Sequence, residues 1–142
     1  MKDAIERVWL YSHYYGDMLF TAQRLRESEE SYAAFTILMN ATELIFKSLR
    51  ENFSQTFNQD IEYLRENGYL SDDEATFFEV SSIREIRNIM AHRDAYQYCI
   101  ESPNGKALPL VETSTWDELY DNCAPTVLAI LHNAVSRMAF TG

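Results

Sequence analysis

Apolar residues recur at every third or fourth position along most of this sequence, the spacing that gathers them on one face of an α-helix. The chain has 142 residues, of which only four are glycine and three are proline, so few positions favour turns. A β-sandwich or barrel needs many more turns. The sequence therefore predicts an all-α fold: a single domain over residues 1–142, built as an up-and-down bundle of four or five helices.

The first half of the chain carries three helical segments. The first covers residues 2–27 and includes Gly16, which costs about 1 kcal/mol relative to alanine inside a helix. We interpret Gly16 as a point where another backbone packs closely. The second segment, residues 32–49, is the most apolar. The third is a short helix within the polar connector of residues 54–68, and it is predicted to end at Gly68.

Two capping boxes mark helix starts in the second half of the chain. Ser71 precedes Glu74 by three residues, so a third long helix is predicted to begin there. Thr115 and Glu118 have the same spacing and predict the start of a final helix. Pro125 cannot donate a backbone hydrogen bond, so we expect a kink or a restart at that residue.

The segment of residues 101–114 interrupts the helical pattern with Pro103, Asn104, Gly105 and Pro109. It is predicted to be an irregular loop or a short extended arm, with a strand possible at residues 106–111 after the Asn-Gly turn. Such an arm is a candidate lid or dimer contact.

Composition excludes several classes of protein. Twenty-two acidic and twelve basic residues give a formal charge of -10, which argues against a protein whose main role is non-specific binding of nucleic acid, DNA included, through its phosphates. No apolar run approaches the roughly 20 residues that a membrane helix needs. Cys99 and Cys123 fit neither a disulfide framework nor a zinc site. We therefore expect a cytoplasmic protein without metal, cofactor or membrane partner.

The three histidines have different surroundings in the sequence. His13 lies among tyrosines and is predicted to be a half-buried packing residue, and His132 in an apolar stretch is interpreted in the same way. His92 ends the string Arg87-Asn88-Ile89-Met90-Ala91-His92 on the polar side of the third long helix. Imidazole can exchange a proton near neutral pH, so His92 is the candidate for chemistry.

This string resembles the signature of the HEPN family (higher eukaryotes and prokaryotes nucleotide-binding domains), which is an arginine, a polar residue that is often asparagine, three variable residues and a histidine. The resemblance covers about residues 11–96 well and the final helix loosely. It implies a small α-bundle in which Arg87, Asn88 and His92 are catalytic. Glu43 lies in a segment similar to the family's acidic-hydrophobic helix beside the motif, and is a supporting residue.

The chemistry of these residue types suits metal-independent cleavage of RNA, which carries its own nucleophile, the 2′-hydroxyl. His92 would transfer protons and Arg87 would bind the scissile phosphate. On an ideal helix these two residues are about 140° apart, whereas Asn88 and His92 share a face. In the family a homodimer brings two motifs together in one composite cleft, so an isologous dimer is predicted. Arg84 and Arg93 add positive charge for substrate binding.

Alternatives remain open at this point. The same cleft could bind a nucleotide or a partner protein without turnover, or the bundle could be purely structural, with Arg87 paired to Glu43. The resemblance also implies a role in defence or in a toxin-antitoxin pair, with a cognate antitoxin of nucleotidyltransferase type. Such antitoxins modify a tyrosine two residues after the motif histidine. Asp94 occupies that position here, and the nearest tyrosines are Tyr96 and Tyr98.

Overall fold

The computed structural model describes residues 2–80, 99–101, 107–109 and 113–141. These residues are mainly helical, as predicted, and the described part of the chain holds six helices and two short strands. In chain order the elements are α1 (Lys2–Tyr11), α2 (His13–Glu27), α3 (Ser31–Arg50), α4 (Phe57–Glu66), α5 (Asp72–Val80), β1 (Cys99–Glu101), β2 (Ala107–Pro109) and α6 (Thr113–Thr141).

Helix α3 forms the centre of the described fold. It is 20 residues long and contacts α2, α4 and α6, while α1 packs against α2 and α6. Its apolar positions repeat through the whole helix, so it buries side chains on more than one side. The largest of its fully buried side chains are Phe35, Leu38, Ile45 and Phe46. The predicted second helix, residues 32–49, is confirmed within one residue at each end.

The first predicted helix is in fact two helices, because the chain turns at Ser12. This residue has extended backbone angles (φ −154°, ψ 116°), and its Oγ accepts a hydrogen bond from the Tyr15 backbone N–H at 3.3 Å. Ser12 is therefore the N-cap of α2. The prediction of one continuous helix was wrong because the apolar spacing runs through Ser12 unchanged, so the capping role of this serine was not recognised.

The prediction of close packing at Gly16 is confirmed. A Cβ atom at this position would lie 2.4 Å from both Cα and Cβ of Trp9, which is closer than any real contact. Glycine is required here because the backbone of α2 meets α1 directly after the turn.

Helices α4 and α5 each begin with a capping box, of which only that of α5 had been predicted. Helix α5 starts with the predicted capping box: Ser71 Oγ accepts from the Glu74 backbone N–H at 3.1 Å, and Glu74 Oε1 accepts from the Ser71 backbone N–H at 2.8 Å. Helix α4 has its own box from Thr56 and Gln59. It ends at Glu66, two residues before the predicted end, and Gly68 follows with a left-handed φ of 82°.

Part of the predicted extended arm is a strand. Residues 107–109 form β2 and pair antiparallel with β1, in the register Cys99 with Pro109, Ile100 with Leu108 and Glu101 with Ala107. The pairing with β1 had not been predicted, since three residues are too short for a recognisable alternating pattern. Residues 102–106, on which the predicted Asn-Gly turn falls, lie outside the described part.

Helix α6 differs from its predicted start. It begins at Thr113, and Thr115 is a buried residue inside its first turn rather than its cap. The helix also continues through Pro125 without a restart. Burial of Ala124, Val127 and Leu128 on both sides of the proline stabilises the helix despite the lost backbone hydrogen bond.

Candidate functional site

The residues of the HEPN-like motif lie outside the described residues. Arg84, Arg87, Asn88, His92 and Arg93 all fall within residues 81–98, together with Tyr96 and Tyr98. Their roles remain predictions. The described structure ends at Val80 on the near side of this segment and resumes at Cys99 on the far side.

Glu43 is the one predicted site residue that the structure describes. It lies in the middle of α3 and is half-buried, and its Oε1 atom is fully buried. Its neighbour Thr42 is also buried and donates its hydroxyl to the Leu38 carbonyl at 2.8 Å. Burying a carboxyl oxygen costs much more free energy than leaving it at the surface. The burial of Glu43 Oε1 therefore makes this side chain an unusual polar group inside the helix layer.

Helix α5, which leads towards the motif segment, is fixed to α6 through Glu74. The Glu74 carboxylate accepts hydrogen bonds from Arg137 Nη1 and, at 3.0 Å, from Asn133 Nδ2. Arg137 Nη1 also donates to the Tyr69 carbonyl at 3.0 Å. Since Glu74 additionally accepts from Ser71, one carboxylate joins the N-terminus of α5, the preceding loop and α6.

These contacts change the acidity of Glu74. Burial alone would raise the pKa of its carboxyl group, but the hydrogen bonds from Arg137, Ser71 and Asn133 outweigh burial and lower the pKa below its usual range. Glu74 is therefore ionised in the folded protein at neutral pH, and its side chain is only 11% exposed. An ionised carboxylate with this many donors acts as a structural anchor rather than as a proton donor.

A second buried carboxylate had not been predicted. Asp60 on α4 is fully buried, and it accepts hydrogen bonds from Lys47 Nζ at 2.7 Å and from Arg50 Nη1 at 3.2 Å. Lys47 also donates to the Gln55 carbonyl, and the Arg50 guanidinium lies 4.8 Å from the centre of the Tyr63 ring. We call Asp60, Lys47 and Arg50 the α3–α4 charge cluster. It attaches α4 to α3 and neutralises the acid with two cations.

The sequence did hold a signal for this cluster. Phe57, Ile61 and Leu64 form the apolar face of α4, and Asp60 falls on that same face. An acid on an apolar stripe requires a cationic partner when the stripe is buried. The signal was missed because residues 54–68 were interpreted as a polar connector.

The two described histidines do not form a catalytic group. His13 is exposed rather than half-buried, and its ring stacks on Trp9 with the centroids 3.7 Å apart. Its position at the start of α2, directly after the turn, places it on the surface. His132 is half-buried, and its Nδ1 lies 3.3 Å from Asn133 Oδ1. Its interpretation as a packing and hydrogen-bonding residue is consistent with this position.

Most basic side chains of the described residues are paired with acids. Arg26 pairs with Asp117 and Asp121 on α6, and Arg65 pairs with Glu62 and Asp72. Lys47 and Arg50 pair with Asp60, as described above, and Arg137 with Glu74. The described surface therefore offers little positive charge for a polyanion.

No metal-binding group emerges from the described residues, among which no three histidine, cysteine, aspartate or glutamate side chains are placed to share an ion. Within the same part of the chain, no helix is both long enough and apolar enough to span a membrane.

No protein-family model, curated protein or solved structure matches this chain significantly. A function for it therefore has to be inferred from its own residues and their chemistry.

Proposed function

We propose that this protein is a metal-independent endoribonuclease of HEPN type, acting as a homodimer in a toxin-antitoxin or defence role. The observation that carries the proposal is the string Arg87-Asn88-x-x-x-His92 in the segment that follows α5. The mainly helical architecture of the described residues supports it, because the resembled family is a small helical bundle. Glu43, the predicted supporting residue, has a buried Oε1 atom, which fits a supporting role inside the helix layer.

The proposed reaction uses the RNA's own 2′-hydroxyl. This hydroxyl loses its proton and attacks the adjacent phosphorus, and the bond to the 5′-oxygen of the next nucleotide breaks. His92 transfers the proton as a general base or acid, and Arg87 stabilises the additional negative charge on the phosphate oxygens. Asn88 orients the imidazole or the substrate. The products are a 2′,3′-cyclic phosphate and a 5′-hydroxyl.

The spacing of the motif residues supports the proposed homodimer, which the resemblance to the HEPN family implies. If residues 87–92 are helical, Arg87 and His92 point about 140° apart and one helix does not aim both at the same phosphate. Two motifs that face each other across a two-fold axis would supply both groups to one cleft. The dimer also doubles the local positive charge of Arg84, Arg87 and Arg93, which an acidic protein needs in order to hold RNA.

The first experiment is RNA cleavage in the presence of EDTA. Purified protein is incubated with a mixed RNA pool, and the products are tested for cyclic phosphate ends. His92→Ala and Arg87→Ala should abolish cleavage. His13→Ala and Arg65→Ala should retain it, because His13 is exposed, the Arg65 side chain is 36% exposed, and neither residue belongs to the motif. Cleavage that requires added metal, or that survives His92→Ala, would contradict the proposal.

A mixing experiment tests the composite cleft. Dimers of Arg87→Ala and dimers of His92→Ala are each expected to be inactive. After they are mixed and allowed to exchange subunits, mixed dimers hold one intact Arg87 and one intact His92, and partial cleavage should return if the two groups act from different subunits. No recovery, with subunit exchange shown by mass spectrometry, would argue against a composite cleft.

A second candidate function is a non-catalytic HEPN module that binds a nucleotide or a partner protein. The formal charge of -10 and the pairing of most described basic residues with acids favour it, because both weaken RNA binding. A folded dimer that leaves RNA intact but binds a nucleotide, with loss of binding in Arg87→Ala, would support this function instead.

A further inference from the structure

A half-open cavity of about 260 Å³ lies between the start of α1 and the last two turns of α2. Its apolar lining comes from Ile5, which is fully buried, and from the half-buried ring of Phe20. Its polar lining consists of Lys2, Gln23, Arg24 and Glu27. The cavity thus combines an apolar floor with a charged rim, as small-ligand sites do.

Two basic residues at this rim differ from most others in the described structure. Lys2 and Arg24 form no ion pair with any described carboxylate, whereas the basic residues of α3, α4 and α6 are paired. Arg24 Nη2 donates to Thr21 Oγ1 at 3.0 Å, which leaves its other N–H groups available. In a protein of formal charge -10, unpaired cations that line one cavity mark it as a place for an anion.

The remaining rim residues narrow the chemistry of that anion. Gln23 Oε1 accepts from the Tyr120 hydroxyl at 3.0 Å, so its Nε2 group is the part free to donate to a ligand. Glu27 brings one negative charge to the same rim and opposes a doubly charged ligand more than a singly charged one. The volume is below the roughly 300 Å³ at which pockets for drug-sized ligands begin, so the cavity suits a single ring.

We infer that this cavity is a binding site for a monocarboxylate that carries one aromatic ring. The ring packs against Phe20 and Ile5, and the carboxylate is bound by Lys2 and Arg24. None of its six lining residues belongs to the proposed ribonuclease motif, since all of them lie on α1 and α2.

Phenylacetate is the probe for this site, and amide chemical shifts of the full-length protein measure its binding. We expect saturable shifts at Phe20, Gln23 and Arg24 with a dissociation constant in the millimolar range, as befits so small a ligand. Acetate lacks the ring and 2-phenylethanol lacks the charge, so each should bind at least about fivefold more weakly. Equal binding of either control, or no saturable shift at about 20 mM phenylacetate, would overturn the inference.

Substitutions at the rim test which charged side chains contact the carboxylate of the ligand. Lys2→Gln and Arg24→Gln should each weaken phenylacetate binding about three- to fivefold, as expected for exposed ion pairs. Glu27→Gln should strengthen it, because it removes a repelling charge from the rim. Arg65→Gln removes the same positive charge from α4 and should leave binding unchanged. Weaker binding in Glu27→Gln, or an equal loss in Arg65→Gln, would show that the rim does not bind the carboxylate.

Discussion

Asp60 shows how a single buried charge determines the position of a helix. The side chain is fully buried on α4, and its two cationic partners both come from α3, where their own side chains are 16% and 17% exposed. Each partner satisfies a different carboxylate oxygen. Such a cluster is sensitive to the loss of any one member, because the charges that remain are then buried without compensation.

We predict that Asp60→Asn lowers the free energy of unfolding by about 3–5 kcal/mol, the usual cost of removing one partner of a buried ion pair. Urea denaturation measures this change. Glu62→Gln is the matched control on the same helix, because it removes an exposed acid that pairs with Arg65 and should cost less than about 1 kcal/mol. Similar losses in the two variants would mean that the α3–α4 charge cluster adds no stability beyond that of a surface pair.

Glu74 gives the stability of the fold a dependence on pH. Its pKa is lower in the folded protein than in the unfolded chain, so its contribution is complete above the unfolded value of about 4.3 and is lost as the pH falls through the folded value. We predict that Glu74→Gln lowers the free energy of unfolding at pH 7 by about 2 kcal/mol. The difference from wild type should shrink as the pH falls below about 4.

The control for this prediction is Asp73→Asn, which removes an exposed acid from the same first turn of α5. Its effect should be within about 0.5 kcal/mol of zero at pH 7. Unfolding curves in urea from pH 7 to pH 3 make the comparison. If Glu74→Gln and wild type lose stability in parallel across this range, the hydrogen bonds of Glu74 do not lower its pKa.

At the scale of helices, the turn at Ser12 and the contact at Gly16 belong together. Ser12 ends the regular backbone of the first segment, and this lets α2 fold back so that Gly16 meets Trp9. The Trp9 indole Nε1 then donates to Asp17 Oδ1 at 3.1 Å, one residue beyond the contact. The close approach of the two backbones therefore sets the position of α2 against α1.

Gly16→Ala separates two opposing effects. Alanine has the better helix propensity by about 1 kcal/mol, so an unobstructed site would be stabilised. The added Cβ would instead overlap with the backbone of Trp9, and we predict a net loss of about 2 kcal/mol in the free energy of unfolding. Glu6→Ala, at an exposed position of α1, should change stability little. A more stable Gly16→Ala variant would contradict the close contact.

Features of the helices that depend on neighbouring residues were easier to predict from the sequence than features that depend on contacts with other helices. The capping box of Ser71 and Glu74 and the extent of α3 were predicted correctly, because both depend on neighbours within one or two turns. The break at Ser12 has a local signal, its side-chain cap, which the unbroken spacing of apolar residues concealed. The continuity of α6 through Pro125 depends on packing against other helices, which the spacing of apolar residues does not encode. The partners of Asp60 were missed for the same reason, since they lie 10 and 13 residues away on another helix.

For the whole molecule, the proposed ribonuclease requires that an acidic protein bind an acidic polymer. The motif residues were predicted from their resemblance to a family, and only Glu43 among the predicted site residues lies in the described structure. Sequence gives the residue types and their spacing, but the composite cleft depends on how two copies of the chain meet. This part of the site stays a prediction until the dimer is tested.

Salt should control RNA cleavage strongly. If a few arginines of each subunit contact phosphates, raising the salt concentration from about 50 to 200 mM should lower kcat/KM on the order of tenfold to a hundredfold. Arg84→Gln should reduce both the rate and the steepness of this dependence, while Arg65→Gln should leave the steepness unchanged. Cleavage that is insensitive to salt would contradict an arginine-lined cleft.

The pairing of α1 with α6 has a consequence for synthesis on the ribosome. Arg7 Nε donates to Ser136 Oγ at 3.1 Å, a contact that joins residues 129 positions apart, and α6 also covers α3. A nascent chain halted before Thr113 would leave the apolar faces of α1 and α3 in water, so it should recruit chaperones that bind exposed apolar segments. Completion of the 29-residue helix α6 would release these chaperones, so the docking of this helix is the step that commits the chain to its fold.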